Sequence, residues 1–113
     1  MGWPVELIPD DDRLFRRIPP VWYNKEEDRV TSAAFKDPDM SVNWEKYITP
    51  ENTVRKYPAH YLVALTAKIP RTKNLEVKHT PSRLQHSHSS ILGKKTTAVA
   101  RFLAENSVLL IKR

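Results

Sequence analysis

The chain has no cysteine among its 113 residues. Disulfides, thiolate nucleophiles and cysteine-ligated zinc are excluded, and the composition is compatible with a reducing compartment. Only two glycines are present, too few for the loops that cradle nucleotide phosphates. Gly93-Lys94-Lys95-Thr96 looks like the end of such a loop, but position 88, where the earlier glycine should stand, is histidine. No apolar run approaches the roughly 18–20 residues that cross a bilayer. Met1–Asp12 also lacks the basic-then-apolar pattern of a secretory leader. The expectation is a soluble single domain over 1–113 with a cytoplasmic address and no membrane contact.

Acid is scarce in one half only. Residues 57–113 hold Glu76 and Glu105 against 10 Lys+Arg, a net of +8, whereas residues 1–56 carry a net of −2. A half so unbalanced attracts polyanions, so nucleic acid or an acidic partner is the first expectation. Lys68, Arg71, Lys73, Lys78, Arg83, Lys94 and Lys95 are the residues this reading assigns to phosphates. Lys94-Lys95 precedes a helix start, where free amides and two ammonium groups together favour an anion. The protein so read binds rather than catalyses, and no cofactor is implied.

Periodicity predicts an α+β fold: a mostly antiparallel sheet of about five short strands, with two helices packed in one layer. Strands are expected at Leu14–Ile18, Val30–Phe35, Met40–Val42, Tyr61–Ile69, Leu75–His79, Ser89–Leu92 and Val108–Ile111, some of them marginal. In Tyr61–Ile69 the odd positions Tyr61, Val63, Leu65, Ala67 and Ile69 share a face. Leu75–His79 is expected to return beside it as a hairpin, with Lys68, Arg71 and Lys73 near the tip. Val108–Ile111 is apolar on both faces, as a covered central strand would be. Helices are expected to start at Thr49-Pro50-Glu51 and to span Thr97–Asn106, whose Val99, Phe102 and Leu103 fall at i, i+3, i+4.

Several polar residues need a reason. His86-Ser87-His88 puts two imidazoles on one side of a strand, and His79 could join them as a third metal ligand. The plainer account makes His79 a hydrogen-bonded core residue, and no carboxylate lies nearby in sequence to orient a metal site. Arg16 alternates with Leu14 and Ile18, so its guanidinium faces the core and must be paired or bind an anion. Asp10, Asp11 and Asp12 are the partners expected, unless the side chain bends to the edge. Ser32 and Ser41 are small hydroxyls with no histidine or acid beside them in sequence to mark a nucleophile.

The blocks Leu14-Phe15-Arg16-Arg17-Ile18-Pro19-Pro20, Thr31-Ser32-Ala33-Ala34-Phe35-Lys36, Met40-Ser41-Val42 and His88–Lys95 follow one another in a familiar order. Their order and spacing resemble a group of small bacterial proteins with no established activity, over most of the chain. Thr31 stands where that group more often has serine, and Gln85–Ser90 departs from its pattern. The resemblance implies that Arg16 or Arg17, Ser32, Ser41 and His88 share a site. An arginine strand followed by a serine strand is also faintly similar to NAD-using ADP-ribosyl transferases. That likeness implies a nicotinamide cavity and a catalytic glutamate, for which only Glu76 and Glu105 are available in the later half. The alternatives to polyanion binding are thus a small nucleotide-using enzyme around Arg16, Ser32, Ser41 and His88, and a protein–protein adaptor.

Overall fold

Alternation sets the first strand, β1 (Arg13–Ile18), whose Leu14 and Ile18 bury on one face of the sheet while Phe15 buries on the other. The structure, a computed structural model, describes residues 2–113. A two-stranded hairpin follows, β2 (Tyr23–Asn24) with β3 (Arg29–Val30), and then β4 (Asp39–Trp44) and a one-turn α1 (Pro50–Thr53). β5 (Tyr61–Thr66) leads into a second one-turn helix, α2 (Lys68–Arg71), and on to β6 (Glu76–His79). β7 (His88–Leu92), α3 (Thr97–Glu105) and β8 (Val108–Ile111) complete the described residues. The main sheet is antiparallel throughout, in the order β6-β7-β4-β1-β5-β8.

One face carries the larger core. Leu14, Ile18, Met40, Val42, Trp44, Tyr61, Val63, Leu65 and Ile91 are buried there beneath Ala100 and Leu103 of α3. Thr96 accepts from the Val99 amide at 3.2 Å, which caps α3 at its start. Burying Leu103 completely contributes on the order of 2 kcal/mol. The other face holds a smaller cluster, Phe15, Leu62 and Ala64 beneath Val54, with Ile48 packed against it. This cluster covers only the β1–β5 side of that face. Over β4, β7 and β6 the side chains on the same face are polar apart from Leu92: Asp39, Ser41, Asn43, His88, Ser90, Glu76 and Lys78.

The α+β class and the antiparallel sheet agree with the sequence, and several details do not. The main sheet has six strands rather than about five, three α-helices occur among the described residues rather than two, and helices flank both faces rather than one. Val30–Phe35 is not a strand: β3 ends at Val30 and Ser32–Phe35 is a 3₁₀ turn. Ala34 and Phe35 are adjacent and both join the main core, which a strand would prevent by pointing them to opposite faces. Tyr61–Ile69 stops being a strand at Thr66, and β6 pairs with β7 instead of returning beside β5. β8 is an edge strand rather than a central one, and its Val108 stays 62% exposed.

Candidate anion-binding recess on the sheet

Arg16 resolves first, because its environment separates it from the site. β1 and β4 pair only at Leu14↔Trp44 and Phe15↔Asn43. Beyond that point the Arg16 guanidinium takes over. Nε and Nη2 donate to Ala34 O at 3.2 and 3.0 Å, and Nη1 donates to Ser41 O at 2.8 Å. The guanidinium therefore satisfies one carbonyl of β4, Ser41 O, and one of the 3₁₀ turn, Ala34 O. The nearby acids are engaged elsewhere: Asp10 pairs with Arg71 at 2.8 Å, and Asp12 accepts from Trp44 Nε1 at 2.9 Å.

Arg17, one residue on, points to the opposite face. Its Nη1 donates to Thr53 O at 3.3 Å, and its guanidinium lies 4.3 Å from the centre of the Tyr57 ring. There it lines a recess of about 440 Å³ that also takes in Arg55 and Lys56 from the chain after α1 and Asn43 from β4. Gln85 and His88 close the β7 side. Three cations and an imidazole meet amide groups, and no carboxylate lines the recess. Asp39 and Ser41 share the strand face, and both lie outside the lining. The positive field reaches His60, whose imidazole is held below its ordinary pKa by burial first and then by Arg17 and Arg113.

His88 is held in one orientation. Nδ1 lies 2.9 Å from Thr80 O and 3.0 Å from Thr80 Oγ1. A carbonyl only accepts, so the neutral ring carries its proton on Nδ1 and presents a bare lone pair at Nε2. Ser41 Oγ is 3.3 Å from that nitrogen and is the donor in the contact. Ser41 and His88 are neighbours because β4 and β7 pair Ser41↔Ser90 and Asn43↔His88, a diagonal across one face. Ser87 Oγ donates to Asn43 Oδ1 at 3.0 Å and receives Gln85 Nε2 at 3.1 Å, which fixes the amides beside them.

Among the residues grouped by resemblance, Arg17, Ser41 and His88 thus share a face, while Arg16 and Ser32 do not join them. Ser32 lines a separate recess of about 420 Å³ on the main-core side, with Tyr23, Asp28, Arg101 and Glu105. Glu76 is exposed on the edge strand. The basic residues of the second half differ in their surroundings. Lys95 is buried, its ammonium donating to Ile91 O at 2.8 Å and Gly93 O at 3.0 Å, and burial lowers its pKa. Arg71 is engaged with Asp10, Lys78 stands 3.6 Å from Glu76, and Lys73 lies 4.5 Å from the Phe102 ring centre. Lys68, Arg83 and Lys94 are exposed. Arg83 and Lys94 flank opposite ends of β7, a separation of roughly 15 Å along the strand.

His79 and His86 are placed for packing. His79 Nδ1 accepts from the Glu6 amide at 3.1 Å, and Nε2 donates to His86 O at 2.8 Å, so neither nitrogen is open to a metal. The His86 ring stacks between Trp3 at 4.2 Å and Tyr47 at 3.6 Å. Among the described residues no three His, Asp or Glu side chains gather around a point where an ion would sit. Sequence reasoning missed Arg55, Lys56, Asn43 and Gln85. Asn43 was within reach of it, since it alternates with Ser41, and Arg55-Lys56 is a basic pair directly after a capped turn.

No family model, curated protein or solved structure matches this chain.

Proposed function

We propose that the protein binds a phosphate-bearing ligand of the nucleic-acid or nucleotide class in the recess of Arg17, Arg55, Lys56 and His88. One observation carries this: three cations converge there without a single carboxylate in the lining. Arg17 is oriented by Thr53 O and the Tyr57 ring, which lowers the ordering cost of engaging an anion. Asn43 and Gln85 add amide donors and acceptors suited to a sugar or base edge.

Three neutralised phosphates on a single strand give a logarithmic salt slope of about −2, or on the order of 20-fold weaker binding between about 50 and 200 mM salt. The test is anisotropy of a fluorescein-labelled mixed-sequence oligonucleotide at those two salt concentrations. Arg55→Ala and Lys56→Ala should each reduce the slope by about 0.7. The triple variant Lys68→Glu, Lys73→Glu, Lys94→Glu should change binding little. Should the triple variant abolish binding while Arg55→Ala does not, the contact surface is the C-terminal basic residues and the recess is not the site.

A further inference from the structure

His88 lines the recess, and at its outward nitrogen stands a hydroxyl, Ser41, just outside the lining. Three hydroxyls surround His88, and they are not equivalent. Thr80 sits on the Nδ1 side with Ser90 behind it, their oxygens 3.1 Å apart. Ser41 alone stands at Nε2, the nitrogen that the Thr80 carbonyl leaves unprotonated. Ser41 is also exposed, whereas Ser90 is buried. A hydroxyl donating to a bare imidazole nitrogen, with the far side of the ring fixed by a third group, is the arrangement that activates a serine. The 3.3 Å separation is the looser contact usual before substrate binds. Arg17 is two residues past Phe15 on β1, and Ser41 two residues before Asn43 on β4. The pairing Phe15↔Asn43 therefore puts Arg17 and Ser41 on the same face of the sheet as His88.

We infer that Ser41 is a nucleophile with His88 as its general base, acting on a phosphate ester held by Arg17, Arg55 and Lys56. This rests on the anion-binding reading above. Ser41 Oγ bonds to phosphorus as its proton passes to His88 Nε2. The P–O bond to the leaving alcohol breaks, and the imidazolium returns the proton to that oxygen. Ser41 is left esterified to phosphorus; water, deprotonated by the same Nε2, then attacks that phosphorus, the P–Oγ bond breaks, and the imidazolium returns the proton to Ser41 Oγ. The cations neutralise the charge that gathers on the non-bridging oxygens as phosphorus is attacked.

The probe is bis(4-nitrophenyl) phosphate, an anionic diester that expels coloured 4-nitrophenolate. The chain should release nitrophenolate and carry the corresponding phosphoryl mass on the peptide holding Ser41. Ser41→Ala, an exposed substitution, should abolish both while leaving oligonucleotide binding within about twofold, since Oγ supplies no cation. His88→Gln can still donate to Thr80 O but cannot accept a proton, and should slow release at least about 100-fold. Its melting temperature, taken alongside, separates a lost base from a lost fold. Oligonucleotide binding without nitrophenolate release, or release indifferent to Ser41→Ala, overturns the nucleophile and leaves the recess standing. Ser41-dependent release with no binding and no effect of Arg55→Ala overturns the anionic-ester substrate.

Discussion

Arg16 and Arg17 are adjacent, chemically identical and assigned opposite tasks, so exchanging each for methionine separates structure from binding. Methionine keeps most of the packing of the stem and removes the guanidinium. At Arg16 that deletes the donors to two carbonyls, Ala34 O and Ser41 O. Hydrogen bonds to charged groups contribute about 1.5–3 kcal/mol each, so the gross loss is roughly 3–6 kcal/mol. Part returns, because the guanidinium is largely desolvated in the fold and burial lowers its pKa. A net loss of about 2–3 kcal/mol remains, or a melting temperature lower by roughly 10 °C for a chain of this size. Arg17→Met removes one 3.3 Å bond to Thr53 O and a stacking contact with an exposed tyrosine. That is worth about 1 kcal/mol or less. Thermal or urea unfolding gives the stabilities, and oligonucleotide anisotropy at low salt gives the affinities. Arg16→Met should melt early and bind normally at temperatures where it is folded; Arg17→Met should melt nearly as wild type and bind at least several-fold more weakly. The reverse pattern, a stable Arg16→Met that no longer binds, would refute the assignment of the two arginines to opposite faces.

Gly93 adopts φ 129°, and a Cβ there would meet Leu75 Cδ2 at 2.9 Å. The leucine terminus can yield, so the backbone is what resists, and Gly93→Ala should cost on the order of 1–3 kcal/mol in urea unfolding. Lys95→Met removes the cap on Ile91 O and Gly93 O and should lower stability by about 1–2 kcal/mol, with oligonucleotide affinity unchanged. The Tyr23 phenol donates to Asp28 at 2.5 Å, and this bond, ahead of burial, pushes its pKa up to about 12. A raised phenol favours the protonated folded state. Its stabilisation is complete below pH 10 and is lost as pH climbs towards 12. Ultraviolet titration should show a late-ionising tyrosine that moves to lower pH in Asp28→Asn.

What the sequence disclosed was local. Alternation in Leu14–Ile18, Met40–Val42 and Tyr61–Leu65, and the 3.6-residue stripe of α3, depend on the faces of one element and could be read from it. The caps were equally legible: Thr49 accepts from the Asn52 amide and Thr96 from the Val99 amide. Strand order was not, because Val108–Ile111 carries the same apolar residues whether it lies at the centre or the edge of a sheet. Ala67 and Ile69 kept their alternation into a helical turn, where both still reach the main core. At the site, charge counting favoured the second half of the chain, yet two of its seven basic candidates are spent internally, Lys95 on carbonyls and Arg71 on Asp10. The absence of a histidine near Ser41 in sequence said nothing about its neighbour in space, 47 positions away. Only β4–β7 pairing brings them together.

The brevity of the β1–β4 pairing has a mechanical side. β6, β7 and β4 form one ribbon and β1, β5 and β8 another, joined along the sheet by two facing residue pairs and one guanidinium. Such a join is where small relative rotations of the ribbons cost least, and its amides should exchange with solvent sooner than those within either ribbon. The recess straddles that line, with Arg17 on one ribbon and Asn43 and His88 on the other. A ligand seated there would act as a rivet, and slower amide exchange across the join would register its arrival even in a variant that performs no chemistry.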